Sequence, residues 1–282
     1  MMDGMPEGDT VWQTAARLDA ALAGHELTRS DLRVPRLATV DLTGETVESV
    51  QSRGKHLLTR FSNAWTLHSH LRMEGAWQVY APDQAWRGGP GHQIRAILGT
   101  ERRTAVGYRL PVLELVRTGE EARLLAHLGP DLLGPDWGAA NAVEALRRLA
   151  AAPDRTIGEA LLDQRNLAGI GNIYKSELCF VGGVTPWTRV SEVPDLARMV
   201  DLAHRLLEAN RDRPMRVTTG ETRPGRTLWV YGRRRGACLR CGTTIRTADQ
   251  GPAGEERVTY WCPRCQAGPE PTPPAWRGRA ER

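Results

Sequence analysis

Lysine is almost missing from this chain. Of its 38 basic residues only Lys55 and Lys175 are lysine, and the rest are arginine. Any chemistry that needs a side-chain amine therefore has two candidates. Part of the arginine bias is compositional, but arginine's planar fork also suits phosphate because it pairs two oxygens at once. Apolar runs of 18 or more residues are missing too, which argues against a membrane-spanning helix. No basic and then apolar leader opens the chain, so the expected compartment is the cytoplasm. Cysteine is scarce and uneven: Cys179 stands alone, whereas Cys238, Cys241, Cys262 and Cys265 crowd the C-terminal part. Disulfides are rare in a reducing cytosol, so that cluster points to metal.

The 282 residues suffice for two domains and a small third module. A net charge of +5 and arginine clusters such as YGRRRG at 231–236 are compatible with nucleic acid, although charge alone leaves the matter open. Residues 9–24 read as a helix with Val11, Trp12, Ala15, Leu18 and Leu22 on one face and Asp9 and Thr10 as candidate caps. From about 26 to 118 short strands alternate with glycine-rich turns, the pattern of a β-sandwich. From about 130 the spacing becomes helical, interrupted by the turn NLAGIGN at 166–172. Residues 211–232 read as a Pro/Gly/Arg-rich loop. Beyond Gln266 the composition cannot bury a core, and a disordered tail is expected.

CLRC at 238–241 and CPRC at 262–265 form two C-x2-C pairs separated by twenty residues. Two such pairs can close a tetrahedron of thiolates around one zinc, and four cysteines leave no open position, so the zinc should be structural. The intervening segment reads as two short strands, a metal-held ribbon. Cys179, in an apolar helical stretch, reads as a small core residue.

Near the start, MPEG at 5–8 raises a question of chemistry. Translation from Met5, followed by loss of that methionine, leaves Pro6 as the terminus. Its nitrogen is then a secondary amine that titrates near the usual 7.7–8.0 of α-amino groups, close to neutrality. The helix that follows disfavours the ammonium form, and Glu7 can shuttle protons beside it. An amine, a carboxylate and a lysine make a set suited to Schiff-base chemistry on a sugar. Proline is also common at helix starts, so these residues alone leave both readings open.

The motifs together resemble the formamidopyrimidine-DNA glycosylase/endonuclease VIII family. MPEG at 5–8, SRGKHLL at 52–58, DQRNLAGIGNIYKSE at 163–177, and VYGRRRGACLRCG with ERVTYWCPRCQ occur in the family's order. The resemblance implies an α+β fold: an N-terminal β-sandwich with a flanking helix (5–125), a helix–two-turn–helix domain (130–225) and a four-cysteine zinc ribbon (230–267), before the tail (268–282). It implies that Pro6 is the nucleophile, Glu7 the proton donor and Lys55 an aid to elimination, that Asn172 touches a DNA phosphate, and that Arg257 holds the phosphate beside the lesion. HLRMEGAW at 70–77 looks like the family's gap-filling loop, with Met73 as wedge and Arg72 beside it; Met73 also reads as a core residue on a strand, and His70 as either a phosphate contact or a packing residue. Lys175 lies outside the lysine motif and is expected to touch DNA rather than react.

Two departures stand out. The four residues Met1–Gly4 would bury the Pro6 nitrogen in an amide, so Met5 is the expected start. Thr10 also stands where relatives carry a second glutamate, which puts some detail of proton handling in doubt. The implied enzyme is a monomeric, nucleoid-associated glycosylase and abasic-site lyase acting on duplex DNA with oxidised bases, pyrimidines favoured, or abasic sites. The alternatives are a purine-directed glycosylase, an abasic-site lyase with weak glycosylase activity, and a non-enzymatic DNA binder with a blocked terminus.

Overall fold

The computed structural model describes residues 6–271. Met5 and the tail from 272 onward lie outside the described residues. Helix α1 (Gly8–Leu22) buries Val11, Ala15, Leu18 and Leu22, spaced four, three and four apart, and lays that stripe on strand β2 (Val47–Arg53). The remaining strands of this region are β1 (Arg29–Leu32), β3 (His56–Phe61), β4 (Trp65–His70), β5 (Ala76–Tyr80), β6 (Ile94–Gly99), β7 (Thr104–Tyr108) and β8 (Val112–Arg117). They form two antiparallel sheets, ordered β1-β6-β7-β5 and β2-β3-β4-β8. Leu57, Phe61, Leu67, Trp77, Ala96, Leu98 and Leu113 of the two sheets share one core with the α1 stripe. Burial on both faces accounts for the mostly apolar β6 and β7, whereas the equally buried β3 and β4 carry Thr59, Thr66, His68 and Ser69 inside.

A second core joins helices α3 (Ala139–Ala150), α4 (Ile157–Leu162), α5 (Asn172–Val181) and α6 (Leu196–Asn210), while the short α2 (Glu121–Leu125) stands at the junction. The Thr156 side chain accepts from the Glu159 amide at the start of α4, and the Asp195 side chain from Arg198 at the start of α6. At the C-terminal end, β9 (Arg246–Gln250) and β10 (Arg257–Trp261) pair antiparallel, with Arg257 opposite Gln250. A third apolar cluster of Phe180, Val230, Cys238, Ile245 and Cys262 seats this ribbon on the C-terminal half of α5. Among the described residues no helix is long and apolar enough to cross a membrane.

Two expectations need correction. α1 begins at Gly8 with Glu7 as its cap residue, so Asp9 and Thr10 are not its caps; the Asp9 carboxylate is drawn instead to an arginine far along the chain, described below. β1 was not apparent, because RSDL is short and polar and gains its place only by pairing along β6.

Candidate active site

Three segments distant in sequence meet at the turn before α5. Glu7 is fully buried, and its carboxylate accepts backbone N–H groups from Gly171 (2.8 Å), Ile173 (2.7 Å) and Tyr174 (3.2 Å). An anion at a helix N-terminus is favoured by the free amides and by the helix dipole. Gly171 is needed here because a Cβ on it would fall onto the Glu7 carboxyl carbon. The Gly8 amide adds a bond of 2.8 Å to the Gly169 carbonyl, so the N-terminal segment and the turn are fastened main chain to main chain.

The third segment is the β2–β3 hairpin. Gly54 adopts φ +56, its amide donates to Asp131 at 2.8 Å, and a Cβ there would approach that of Ala168 to 2.9 Å. Glycine therefore lets the hairpin tip press against the turn. Next to it, the Lys55 ammonium donates to the Ile170 carbonyl. Burial pulls the Lys55 pKa from the ordinary 10.5 down to about 8, with Glu7 opposing and Arg257 and Arg216 assisting. Pro6 borders a cavity of about 300 Å³ that Thr10, Leu71, Gly75 and Trp77 help to line.

Beside this centre lies a buried charged cluster. Asp9 receives the Arg216 guanidinium on both oxygens (Nε at 2.7 Å) and the Tyr174 hydroxyl at 2.8 Å, while Arg216 Nη2 also reaches the Thr10 hydroxyl at 3.1 Å. Burial and then the Asp9 charge raise the Tyr174 pKa, keeping its hydroxyl protonated as the donor. For Arg216, burial would lower the pKa, but the Asp9 charge prevails and raises it. The Thr10 position thus contributes a hydroxyl to a cluster whose carboxylate is one residue earlier.

Next to Lys55 lies a cluster of four imidazoles centred on His56. His56 stacks on His68 with ring nitrogens 2.9 Å apart and meets His70 and His127 edge-on. Burial, then neighbouring positive charge, lowers His56 to about 3 and His70 to about 4, so both are neutral at physiological pH. His70 Nδ1 accepts the Arg72 amide at 2.9 Å, which holds Arg72 at a φ of +46 and shapes the loop that follows β4. Arg72 and Met73 are exposed at its tip, Met73 by 52%. Met73 is therefore not a strand core residue; its sulfur meets the Arg257 guanidinium at 3.5 Å.

Asn172 and Lys175 are brought to the ribbon rather than to open surface. Asn172 is 4% exposed and its amide nitrogen donates to the Val258 carbonyl at 2.8 Å, while its buried Oδ1 has no partner among the described residues. Lys175 is 0% exposed, its ammonium bonded to the Thr259 hydroxyl at 2.5 Å and the Gln250 carbonyl oxygen at 3.4 Å. The expected DNA contact by Lys175 is thereby corrected: burial between α5 and the ribbon removes it from any phosphate. Arg257 is exposed at the start of β10.

The sulfurs of Cys238, Cys241, Cys262 and Cys265 all lie within 4.8 Å of one another, with pairs at 3.9 and 3.5 Å. Zinc–thiolate bonds of about 2.3 Å imply tetrahedral edges of about 3.8 Å, so the four-cysteine set fits one structural zinc.

Several contributing residues were not singled out from sequence. Glu177 is fully buried and its carboxylate gathers the Trp229, Val230 and Tyr231 amides at 2.7 to 2.9 Å, which folds the loop before the ribbon against α5. An acidic residue inside an apolar helical stretch was the available signal for it. Arg216, one of many arginines and 207 residues from its partner, carried none.

Comparison with known proteins matches the chain to three family models: the formamidopyrimidine-DNA glycosylase N-terminal domain over residues 5–109, its H2TH domain over 128–209, and a zinc finger found in FPG and IleRS over 237–268. The chain is 66% identical over 271 residues to a Streptomyces coelicolor protein called probable endonuclease 8 2, covering 95% of this chain and 96% of the relative. It is 52% identical over 262 residues to the Mycolicibacterium smegmatis DNA-(apurinic or apyrimidinic site) lyase Nei2, covering 93% and 99%. Among solved structures, Lactococcus lactis formamidopyrimidine-DNA glycosylase on DNA with an abasic site shares the fold, with a TM-score of 0.76, 22% identity and coverage of 93% of this chain and all of the other.

Proposed function

Because this chain belongs to the formamidopyrimidine-DNA glycosylase and endonuclease 8 family, we propose that it excises oxidised bases, pyrimidines favoured, from duplex DNA and then nicks the strand, working through a Schiff base at Pro6. The observation that carries this reading is the meeting of Glu7, the Lys55 hairpin and the amides of residues 171–174 beside Pro6. The N-terminal family model begins its match at residue 5, which supports translation from Met5 and a free amine on Pro6.

The damaged nucleotide is first extruded, at a cost of a few kcal/mol of stacking. Met73, exposed and apolar on its pinned loop, is suited to fill the gap, with Arg72 beside it. The Pro6 nitrogen then bonds to C1′ as the C1′–base bond breaks, and the base leaves with the electron pair and a proton. The attached nitrogen loses its proton and its lone pair expels the ring oxygen, so the C1′–O4′ bond breaks with O4′ taking up a proton, and the resulting cationic iminium acidifies the C2′ hydrogens. Loss of one breaks the 3′ C–O bond, and a further elimination breaks the 5′ one. Glu7, oriented by three amides, moves protons at the sugar. In this reading the Lys55 ammonium assists at the ring oxygen and phosphate, while Arg257 and the Asn172 side chain meet phosphates around the bend.

The Lys55 pKa of about 8 gives this mechanism a pH signature. If the ammonium assists, single-turnover excision falls as pH rises through about 8, and the residual activity of Lys55→Gln lacks that alkaline limb. Stability moves the other way. The folded pKa lies below the unfolded 10.5, so the buried charge costs stability at neutral pH, and the penalty fades between about 8 and 10.5. A pH–rate profile alongside pH-dependent melting checks both signs.

A second reading, an abasic-site lyase with weak glycosylase activity, is favoured by the name of the relative 52% identical to this chain. Duplexes carrying one thymine glycol, one 8-oxoguanine or one abasic site separate the possibilities. Cleavage at thymine glycol supports the proposal, faster cleavage at 8-oxoguanine moves it to purines, and cleavage confined to the abasic site supports the second reading. No cleavage of any duplex removes both.

A further inference from the structure

We infer that Lys175 is a positioning residue that aims Arg257, holding the hairpin that carries it against the N-terminal half of α5. The inference rests on the proposed phosphate contact by Arg257. Lys175 is fully buried, and among the described residues no carboxylate pairs with it; its acceptors are the neutral oxygens of Thr259 and Gln250. A buried cation with no carboxylate in contact is costly even with Glu7 and Glu159 favouring its charge from a distance, and a position on α5 selected only for packing would be apolar. The placement of its two acceptors accounts for its presence.

Gln250 is the cross-strand partner of Arg257, and the Thr259 hydroxyl itself donates to the Arg257 carbonyl at 3.0 Å. Lys175 therefore grips both strands of the hairpin at the level of Arg257. One helical turn earlier, the Asn172 amide holds the Val258 carbonyl, so two consecutive residues of β10 are bonded to α5 and Arg257 is tied to them through Thr259. Gln250 extends the contact by donating to the Pro186 carbonyl at 2.8 Å and the Thr156 hydroxyl at 3.1 Å. The apolar seat of the ribbon lies at its other end, where Phe180 packs with Cys238 and Cys262. Trp187 packs against Trp261 near the seat and Gln250 and Asn172 add anchors further along; Lys175 is the charged member of this set and bonds to both strands at the level of Arg257. Burial lowers its amine to about 8, so the ammonium donor persists at neutral pH.

The test is a double-mutant cycle on the full zinc-loaded protein, read as affinity for a duplex containing a non-cleavable abasic analogue across a range of salt. Lys175→Met should weaken binding by about tenfold and lower the slope of log affinity against log salt by about one, as Arg257→Ala does, because one phosphate contact is lost. With Arg257 already replaced, Lys175→Met should add nothing. Independent, multiplicative losses, or wild-type affinity for Lys175→Met at every salt concentration, overturn the inference. Zinc content and melting temperature report folding; should Lys175→Met lose zinc, Thr259→Val takes its place in the cycle and is read the same way. Binding to an uncleavable duplex does not depend on Pro6 chemistry, so a failed cycle and a failed Schiff base are told apart. Wild-type affinity for Arg257→Ala removes the clamp, and the inference with it.

Discussion

Glu7→Gln is expected to lower excision of an oxidised base by roughly 10²–10⁴-fold, the range associated with loss of a positioned acid–base group. The substitution is nearly isosteric, so the effect belongs to the carboxylate and not to packing. The new amide also has only one oxygen to accept three converging amides, from Gly171, Ile173 and Tyr174. One buried N–H loses its partner, at a cost of about 1–3 kcal/mol, visible as a lower melting temperature. Single-turnover excision from a thymine-glycol duplex measures the first effect. At a pre-formed abasic site no base has to leave, and the loss there should be smaller. An equal loss on both substrates would move the role of Glu7 to the later eliminations.

Cys262→Ser, or removal of the metal by a chelator, should have an effect of similar size on binding. Four thiolates within 4.8 Å hold the two ends of the ribbon, and structural zinc supplies about 10 kcal/mol or more of folding free energy in such modules. Cys262 is buried against Phe180 and Val230, so without metal the seat of the hairpin loosens and Arg257 loses its bearing on the cleft. Affinity for an abasic duplex should fall by two orders of magnitude or more, while the β-sandwich, with a separate core, stays folded. Zinc release followed colorimetrically, with circular dichroism and DNA titration on the same samples, checks this. A zinc-free protein that binds and nicks normally would separate the ribbon from the reaction.

Local pattern made much of the molecule legible. Short strands between glycine-rich turns marked the region from about 26 to 118, period-3.6 spacing marked α1 and the helical part beyond about 130, and two C-x2-C pairs marked the ribbon. What escaped were features created only by long-range pairing. β1 is four residues of polar sequence that become a strand by lying along β6. Asp9 looked like a helix cap because an acidic residue at a helix start usually is one; its true partner, Arg216, arrives from a loop beyond α6. Lys175 looked like a surface cation on a helix next to a glycine turn, and nothing local told that the ribbon would cover it. The same limit applies to Lys55, whose motif was visible but whose lowered pKa depends on burial by the turn and on Glu7, Arg257 and Arg216 from elsewhere in the chain.

The most direct measurement of the account is reductive trapping by borohydride during turnover on an abasic or thymine-glycol duplex, followed by mass analysis of the cross-linked peptide. Protein whose chain begins at Pro6 should become covalently joined to the sugar through the Pro6 nitrogen, and protein retaining residues 1–5 should not be trapped. Trapping through Lys55 or another side chain, or full activity in protein that keeps Met1–Met5 attached, would contradict it.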